Sequence, residues 1–209
     1  MRRLPVYLLI DTSWSMQGDP IQSVQSGIQL LIDNLQGDPT ALETAWLSLM
    51  TFDSNVNVIC ELTELAEFEA QALTCNGMTS MGAGITEVLN RISMEVKKQS
   101  ASERGDYKPM IFIMTDGEPN DDWKGPADQL RRSGYSVVCC AAGPDANTGP
   151  LKQMTEMVVS LRDASPDEFT KFFRWVSASI TQSSKSVTAG EDVMYAPIDD
   201  DDDSFMLVP

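Results

Sequence analysis

The sequence of 209 residues contains no histidine and few basic residues. Without histidine there is no Ser-His-Asp or Cys-His catalytic unit and no imidazole metal ligand. The chain has 15 Lys and Arg residues and 31 Asp and Glu residues, which gives a formal net charge of −16. Nucleic acids and anionic membrane surfaces attract basic patches, so this balance argues against both as partners.

Long hydrophobic runs are also missing. The first apolar run, Val6–Ile10, is too short for a secretory signal, and no window approaches the length of a membrane span. The four cysteines have no CxxC spacing, and Cys139 and Cys140 are neighbours in an apolar run typical of buried thiols. We therefore expect a soluble, cytoplasmic protein with reduced cysteines.

The apolar runs that are present indicate an α/β fold. Four of them are continuous, as expected for parallel strands covered by helices on both faces: Val6–Ile10, Met110–Met114, Val137–Ala141 and Met157–Leu161. Two further strands are predicted near residues 44–52 and 56–60, joined as a hairpin with an antiparallel edge. The prediction is a doubly wound, Rossmann-like, mostly parallel sheet of six strands with one antiparallel edge strand.

Helix signals alternate with these strands and set the domain boundary. Asp19-Pro20 begins a helix with Asp19 as the expected N-cap, and Ser165-Pro166 begins the last one as part of a capping box. The folded domain is predicted to cover residues 1–183. Residues 184–209 begin with a polar stretch, which is followed by the run Asp199–Asp203. These residues are therefore predicted to form a flexible acidic tail.

Oxygen-bearing side chains follow the predicted strands in three places. Asp11, Ser13 and Ser15 alternate directly after the first strand, Thr79 precedes a helix, and Asp116 follows a central strand. The carboxyl ends of parallel strands share one edge, where ligands bind in doubly wound sheets. Carboxylates and hydroxyls suit a hard cation, so the pattern predicts a Mg²⁺ site, with Mn²⁺ as an alternative, rather than zinc.

Three motifs occur in this order along the chain: Asp-x-Ser-x-Ser, a later Thr, and Thr-Asp-Gly-Glu. Together they resemble the metal-ion-dependent adhesion site of von Willebrand factor type A (VWA) domains. The likeness covers roughly residues 1–183 and is greatest to the bacterial tellurite-resistance (TerY-like) group. It implies that Ser13, Ser15 and Thr79 contact the metal through hydroxyls, while Asp11 and Asp116 act through water or enter the first shell. The remaining position would take water or a partner's carboxylate, and affinity would switch with a small loop shift.

Two residues are partner-contact candidates. Trp14 occupies a position that is commonly small in such domains, so it either contacts a partner, as tryptophan does in binding hot spots, or packs over the sheet. Glu118 is expected at the rim rather than among the ligands. Asp121 and Asp122 are expected to cap a helix.

Other interpretations of the same residues stay open. Asp11, Ser13 and Ser15 could only cap a loop, since Asx and Ser side chains do so at many strand-to-helix turns. An enzyme is the main rival: a haloacid-dehalogenase-like Mg²⁺-dependent phosphatase or phosphotransferase with Asp11 as nucleophile. That chemistry needs a second acid two residues later, where this chain has Ser13.

The leading hypothesis is a non-enzymatic module that binds a partner's Asp or Glu through Mg²⁺. The resemblance implies a scaffold in a bacterial stress-response complex, with a protein kinase and a phosphatase as partners. The acidic tail, which ends in Phe-Met-Leu-Val, suggests two further hypotheses: self-association through the metal site of a neighbouring molecule, and docking of the tail on a partner.

Overall fold

Strands and helices alternate along the part of the chain that the computed structural model describes, residues 2–198 and 205–208. The strands are β1 (Leu4–Asp11), β2 (Ala45–Phe52), β3 (Val56–Glu64), β4 (Met110–Thr115), β5 (Ser136–Ala141), β6 (Val158–Leu161) and β7 (Phe205–Leu207). The helices are α1 (Asp19–Gln36), α2 (Pro39–Thr44), α3 (Met81–Glu95), α4 (Lys124–Arg132), α5 (Thr148–Met154) and α6 (Pro166–Ala189). The run Asp199–Asp203 lies outside the described residues.

The strands form one twisted sheet in the order β3-β2-β1-β4-β5-β6-β7. Strands β1, β2, β4, β5 and β6 are parallel, and β3 pairs with β2 in the antiparallel direction as the predicted hairpin. The predicted doubly wound sheet is therefore confirmed. The described chain adds β7, whose three residues pair antiparallel with β6 and which the sequence patterns did not indicate.

The chain reverses its winding direction at β1, whose neighbours are β2 on one side and β4 on the other. Connections leave the carboxyl ends of β1 and β4 toward opposite sides of the sheet, so a crevice opens between those two ends. Every residue of β1 is buried, which fixes its last residue, Asp11, inside the protein. This crevice is where the predicted oxygen ligands meet.

Two apolar layers cover the sheet because the side chains of each strand alternate between its faces. In β1, Val6, Leu8 and Ile10 pack with α1, α2 and α6, whereas Tyr7 and Leu9 pack with α3, α4 and α5. The continuous apolar runs of the sequence thus reflect burial on both faces.

The two long helices begin almost where the sequence signals placed them. The Oγ of Ser165 accepts a hydrogen bond from the N–H of Glu168 and caps α6 as predicted. The second half of the predicted capping box does not form, because the N–H of Ser165 donates to Asp163 Oδ1 and the Glu168 carboxylate accepts from the N–H of Arg162. Helix α1 begins at Asp19, but its N-cap is Gly18, at φ 94°, instead of Asp19. The shift by one residue leaves the Asp19 carboxylate in the first turn, where it faces the positive end of the helix dipole.

The C-terminal segment is built into the domain beyond the boundary predicted at residue 183. That position lies within α6, which continues to Ala189. Residues 190–198, hereafter the C-terminal strap, then run back along α6. The indole N–H of Trp175 donates to the carbonyl of Ala196 at 2.9 Å, and Ser183 Oγ donates to the carbonyl of Met194 at 2.5 Å. The ring of Tyr195 in the strap stacks on Trp175, with the ring centroids 6.1 Å apart.

The remaining global features concern the cysteines and the helix lengths. All four cysteines are free, and Cys139 and Cys140 are fully buried in β5, as the sequence indicated. Among the described residues, no helix combines the length and the apolar character that crossing a membrane would require.

Candidate metal centre

The carboxylate of Asp11 joins the carboxyl ends of β1 and β4. Its Oδ1 accepts a hydrogen bond from the backbone N–H of Ser13 at 2.8 Å, which turns the chain sharply after the strand. Its Oδ2 accepts one from the hydroxyl of Thr115, the last residue of β4, at 2.5 Å. Both oxygens of this buried carboxylate are thus held toward the crevice by neighbouring strands.

Two serine hydroxyls extend the site from Asp11 to Asp116. The Oγ atoms of Ser13 and Ser15 lie 3.0 Å apart, at the start of a short 3₁₀ turn, Trp14–Met16, of which Ser13 is the extended N-cap. The hydroxyl of Ser15 donates to Oδ1 of Asp116 at 2.7 Å. Residues separated by about one hundred positions in the sequence are therefore in direct contact at this end of the sheet.

Thr79 closes the cluster from the side of α3. A methyl group placed on Gly117 would lie 3.3 Å from Thr79 Oγ1 and 3.8 Å from Ser15 Oγ, so both hydroxyls border the space beside Gly117. The absence of a side chain at Gly117 keeps that space open. The five predicted ligands therefore converge in the crevice between β1 and β4.

Asn120 connects Thr79 to the loop that carries Asp116. The backbone N–H of Asn120 donates to the carbonyl oxygen of Thr79 at 3.1 Å. With its amide oriented to satisfy both partners, the side chain of Asn120 donates to the same carbonyl at 3.1 Å and accepts from the N–H of Thr79 at 3.0 Å. The main chain at Thr79 is thus fixed relative to the loop after β4.

Asp121 reinforces this connection. Its carboxylate accepts hydrogen bonds from the backbone N–H groups of Gly82 and Ala83 at 3.0 and 2.9 Å. Asp121 therefore caps a helix, as expected, but the helix is α3, which lies earlier in the chain, and not the adjacent α4. No local pattern predicts a cap supplied from another segment, so the sequence could not identify this contact.

The electrostatics of the site favour a cation. Burial raises the pKa of Asp11 to about 6, against the opposing effect of its hydrogen bonds from Ser13 and Thr115. Burial also raises the pKa of Asp116. No lysine or arginine is among the main causes of either shift, and among the described residues neither carboxylate is in an ion pair. A divalent cation would supply that charge.

The donor set fits a hard cation of the magnesium type. It combines two carboxylates with three hydroxyls, all of them oxygen ligands. Among the described residues, no three side chains of the Asp, Glu, Cys or His types converge, so a site built on thiolates or on carboxylates alone is not available. The hydroxyls of Ser13, Ser15 and Thr79 are therefore essential to any metal site here.

The two rim candidates lie in different environments. The side chain of Trp14 is 55% exposed, so it does not fold back over the sheet. Glu118 is exposed as well, and its Oε1 accepts a hydrogen bond from Nδ2 of Asn147 at 2.8 Å, which links the loops after β4 and β5. Neither side chain has a hydrogen bond to the five-residue cluster among the contacts found in the described chain.

Comparisons with known proteins agree with this architecture. The family model of the von Willebrand factor type A domain matches residues 6–175. An uncharacterized protein of Synechocystis is 29% identical over 119 residues, which are 56% of this chain and 26% of that protein. The calcium-activated chloride channel regulator 1 of Mus musculus is 28% identical over 166 residues, 78% of this chain and 17% of that protein.

A solved structure shares the fold. The pilus adhesin SpaC of Lactobacillus rhamnosus GG, in its open conformation, aligns with a TM-score of 0.70 at 14% identity, covering 87% of this chain and 30% of that one. At this identity the likeness concerns the fold alone. The chain spans about a quarter or less of the length of the two curated relatives.

Proposed function

This chain belongs to the von Willebrand factor type A domain family, and on that premise we propose that it binds a partner protein's carboxylate through a Mg²⁺ ion. Domains of the family are protein-interaction and adhesion modules and are generally not enzymes. The proposed ligands are Asp11, Ser13, Ser15, Thr79 and Asp116, with Mn²⁺ as the alternative ion.

The observation that carries the proposal is the convergence of these side chains at a place where the described residues supply no basic partner. Asp11 and Asp116 are both buried enough for their pKa values to rise, and within the described part of the chain hydrogen bonds are the interactions that oppose this rise. Loop capping alone does not require this arrangement, because a capping aspartate is stabilised by backbone N–H groups and needs no second carboxylate nearby.

The hydroxyl and carboxylate groups of the site have different roles. Ser13, Ser15 and Thr79 offer neutral oxygens, which hold a cation without cancelling its charge. Asp11 is fixed between Ser13 and Thr115, whereas Asp116 is followed by Gly117, a residue that tolerates backbone movement. When bound, the cation supplies Lewis-acid attraction for a carboxylate from the partner.

The finer biological assignment follows the motif resemblance. We assign the chain to a TerY-like scaffold role in a bacterial tellurite-resistance or stress-response complex, with a protein kinase and a phosphatase as partners. The free cysteines, two of them buried in β5, support a reducing, cytoplasmic setting.

Self-association through the acidic tail is an alternative source of the carboxylate. The residues just after the aspartate run, Phe205–Leu207, form β7 at the edge of β6 in the same molecule. Occupying a neighbour's site would require these residues either to stay paired while the preceding aspartates reach out, or to leave β6.

A phosphotransferase with Asp11 as nucleophile is the competing activity. Two features disfavour it: both Asp11 oxygens already accept hydrogen bonds, and the position two residues later is a serine hydroxyl that cannot act as a general acid at neutral pH. Turnover of an aryl phosphate with Mg²⁺, abolished by Asp11→Asn, would establish this activity instead.

The proposal is tested by calorimetric titration with Mg²⁺ and by capture of partners from cell extract. Wild-type protein should bind Mg²⁺ and retain a partner in Mg²⁺ but not in EDTA. Ser13→Ala/Ser15→Ala should lose both properties, whereas Ser93→Ala, on the surface of α3, should lose neither. Equal Mg²⁺ binding by wild type and the double variant would contradict the assignment of the ligands.

A further inference from the structure

Two exposed apolar side chains lie beside the proposed metal centre. Trp14 and Met78 are 55% and 61% exposed, and both belong to the small set of large hydrophobic side chains that the described structure leaves in solvent. The backbone N–H of Trp14 donates to the carbonyl of Gly77 at 3.1 Å. Trp14 and Met78 therefore lie on neighbouring backbone segments.

Each of these side chains is next to a proposed metal ligand in the sequence. Trp14 lies between Ser13 and Ser15, and Met78 directly precedes Thr79. Consecutive Cα atoms are about 3.8 Å apart, so a carboxylate at the site would place its neighbouring residues within reach of both apolar side chains.

The position of Met78 is fixed by the backbone around it. Gly77 adopts φ 62°, and a methyl group there would lie 2.3 Å from Ser54 Oγ. The N–H of Met78 donates to the same Ser54 Oγ at 3.0 Å. The backbone of this surface, Trp14 with Met78, is therefore held in place before any partner arrives.

The loops around the site are acidic. Within the described chain, the loops at the carboxyl ends of β1, β2, β4 and β5 and the segment leading into α3 contain no lysine or arginine. The acidic residues of the loops after β2, β4 and β5 are Asp53, Asp116, Glu118, Asp121, Asp122 and Asp145. One cation can compensate one incoming carboxylate, but further acids on the same segment would meet repulsion.

From these features we infer that the surface selects a protein segment with a single Asp or Glu, flanked by large apolar residues and lacking further acids. The inference rests on the proposed metal-dependent function and specifies its ligand. Contact with Trp14 and Met78 supplies apolar burial, and the acidic loops exclude polyacidic segments, including the aspartate run of a second copy of this chain.

The test measures the binding of three labelled peptides to the full chain by fluorescence anisotropy, in Mg²⁺ and in EDTA. The first peptide is Lys-Gly-Leu-Asp-Leu-Gly-Lys, the second replaces both leucines with serine, and the third is residues 199–208 of this chain. In Mg²⁺ the first should bind about tenfold more tightly than the second, as expected from burying one leucine side chain, and more tightly than the third.

Matched variants test whether Trp14 and Met78, rather than any exposed apolar side chain, cause the preference for leucine. Trp14→Ala and Met78→Ala should each reduce the preference for leucine over serine while keeping Mg²⁺-dependent binding. Met94→Ala should keep the preference, because Met94 is 67% exposed but lies near the other end of α3, about 20 Å from Met81.

The outcomes distinguish the inference from the proposed function. Equal Mg²⁺-dependent binding of the first two peptides, abolished by Ser13→Ala, would overturn the inference and leave the function intact. Tighter binding of the third peptide would overturn it in favour of self-association. An unchanged leucine preference in both Trp14→Ala and Met78→Ala would overturn the assignment of the surface. Absence of Mg²⁺-dependent binding by all three peptides would overturn the proposed function and the inference together.

Discussion

Replacing Asp11 with asparagine should stabilise the metal-free protein and weaken its response to Mg²⁺. The substitution keeps the size and shape of the side chain. The Oδ1 of asparagine can still accept from the N–H of Ser13, and its amide can donate to the hydroxyl of Thr115, which then acts as an acceptor. Only the buried negative charge is lost.

The magnitude follows from the pKa of Asp11. Burial raises this pKa from its ordinary value of 3.8 to about 6, which corresponds to a cost of about 3 kcal/mol for the ionised carboxylate at neutral pH. Asp11→Asn should therefore increase the free energy of unfolding in EDTA by about 2–3 kcal/mol, or Tm by about 4–12 °C for a domain of this size.

The effect depends on pH with a defined sign. Because the pKa of Asp11 is higher in the folded than in the unfolded state, its contribution to stability is present below the unfolded value and is lost as the pH rises through about 6. The stability difference between the variant and the wild type should be small below about pH 3.5, reach about a third of its full value near pH 4.5 and be complete above about pH 7.

Mg²⁺ should reverse the order of stability. A thousandfold excess of Mg²⁺ over its Kd stabilises the wild type by about 4.1 kcal/mol, which exceeds the advantage of about 2–3 kcal/mol that the variant has in EDTA, whereas the variant lacks a charged ligand and gains less. Urea unfolding in EDTA and in Mg²⁺, at several pH values, measures all of these differences. Asp33→Asn, which removes one charge from the exposed surface of α1, is the control for net charge.

Two results would refute this reasoning. If Asp11→Asn were less stable than the wild type in EDTA at pH 7.5, the buried charge would not be costly. If the stability difference were constant between pH 5 and pH 7.5, Asp11 would not titrate in that range.

Three further predictions concern the packing of α1 on α6, the positioning of Thr79 and the C-terminal strap. Gly27→Ala would place a methyl group 2.1 Å from the ring of Phe173 and should lower the free energy of unfolding in urea by about 1–3 kcal/mol. Gly125→Ala, with open space around it, should raise that free energy by about 0.5–1 kcal/mol. Equal effects of the two variants would contradict the close packing of α1 against α6. Asn120→Ala should weaken Mg²⁺ binding about tenfold in calorimetry by releasing Thr79, and unchanged affinity would show that this contact does not position the ligand. Ending the chain at residue 189 removes the C-terminal strap and should lower the free energy of unfolding by about 3–5 kcal/mol. Ending it at residue 198 keeps the strap and should lower that free energy by about 1 kcal/mol or less. Similar losses in the two truncated proteins would mean that the strap contributes little to stability.

The fold could be predicted because its signals are local. Continuous apolar runs such as Val6–Ile10 mark strands covered on both faces, and Ser165-Pro166 marks a helix start through its own hydrogen bonds. The short helices α2 and α5 were not predicted. They begin at Asn or Asp caps, Asp38 and Asn147, but have too few residues to show an apolar period.

The candidate site could be predicted in part for a topological reason. In a doubly wound sheet the residues after β1 and β4 must lie at the same edge, so Asp11 and Asp116 were expected to be neighbours once the strands were identified. The exposure of Trp14 was not decidable from the sequence, since it depends on the direction of a 3₁₀ turn and on its contact with Gly77.

The sequence by itself determined the strand and helix pattern, the excess of acid over base and the set of oxygen-bearing side chains, because each of these is a property of residues close together in the chain. Only the tertiary structure decided that Asn120 and Asp121 hold Thr79 and α3, that the C-terminal strap covers α6, and that β7 occupies the edge of β6. These contacts join segments far apart in the chain, and they form because buried backbone groups and sheet edges need partners wherever the fold brings them.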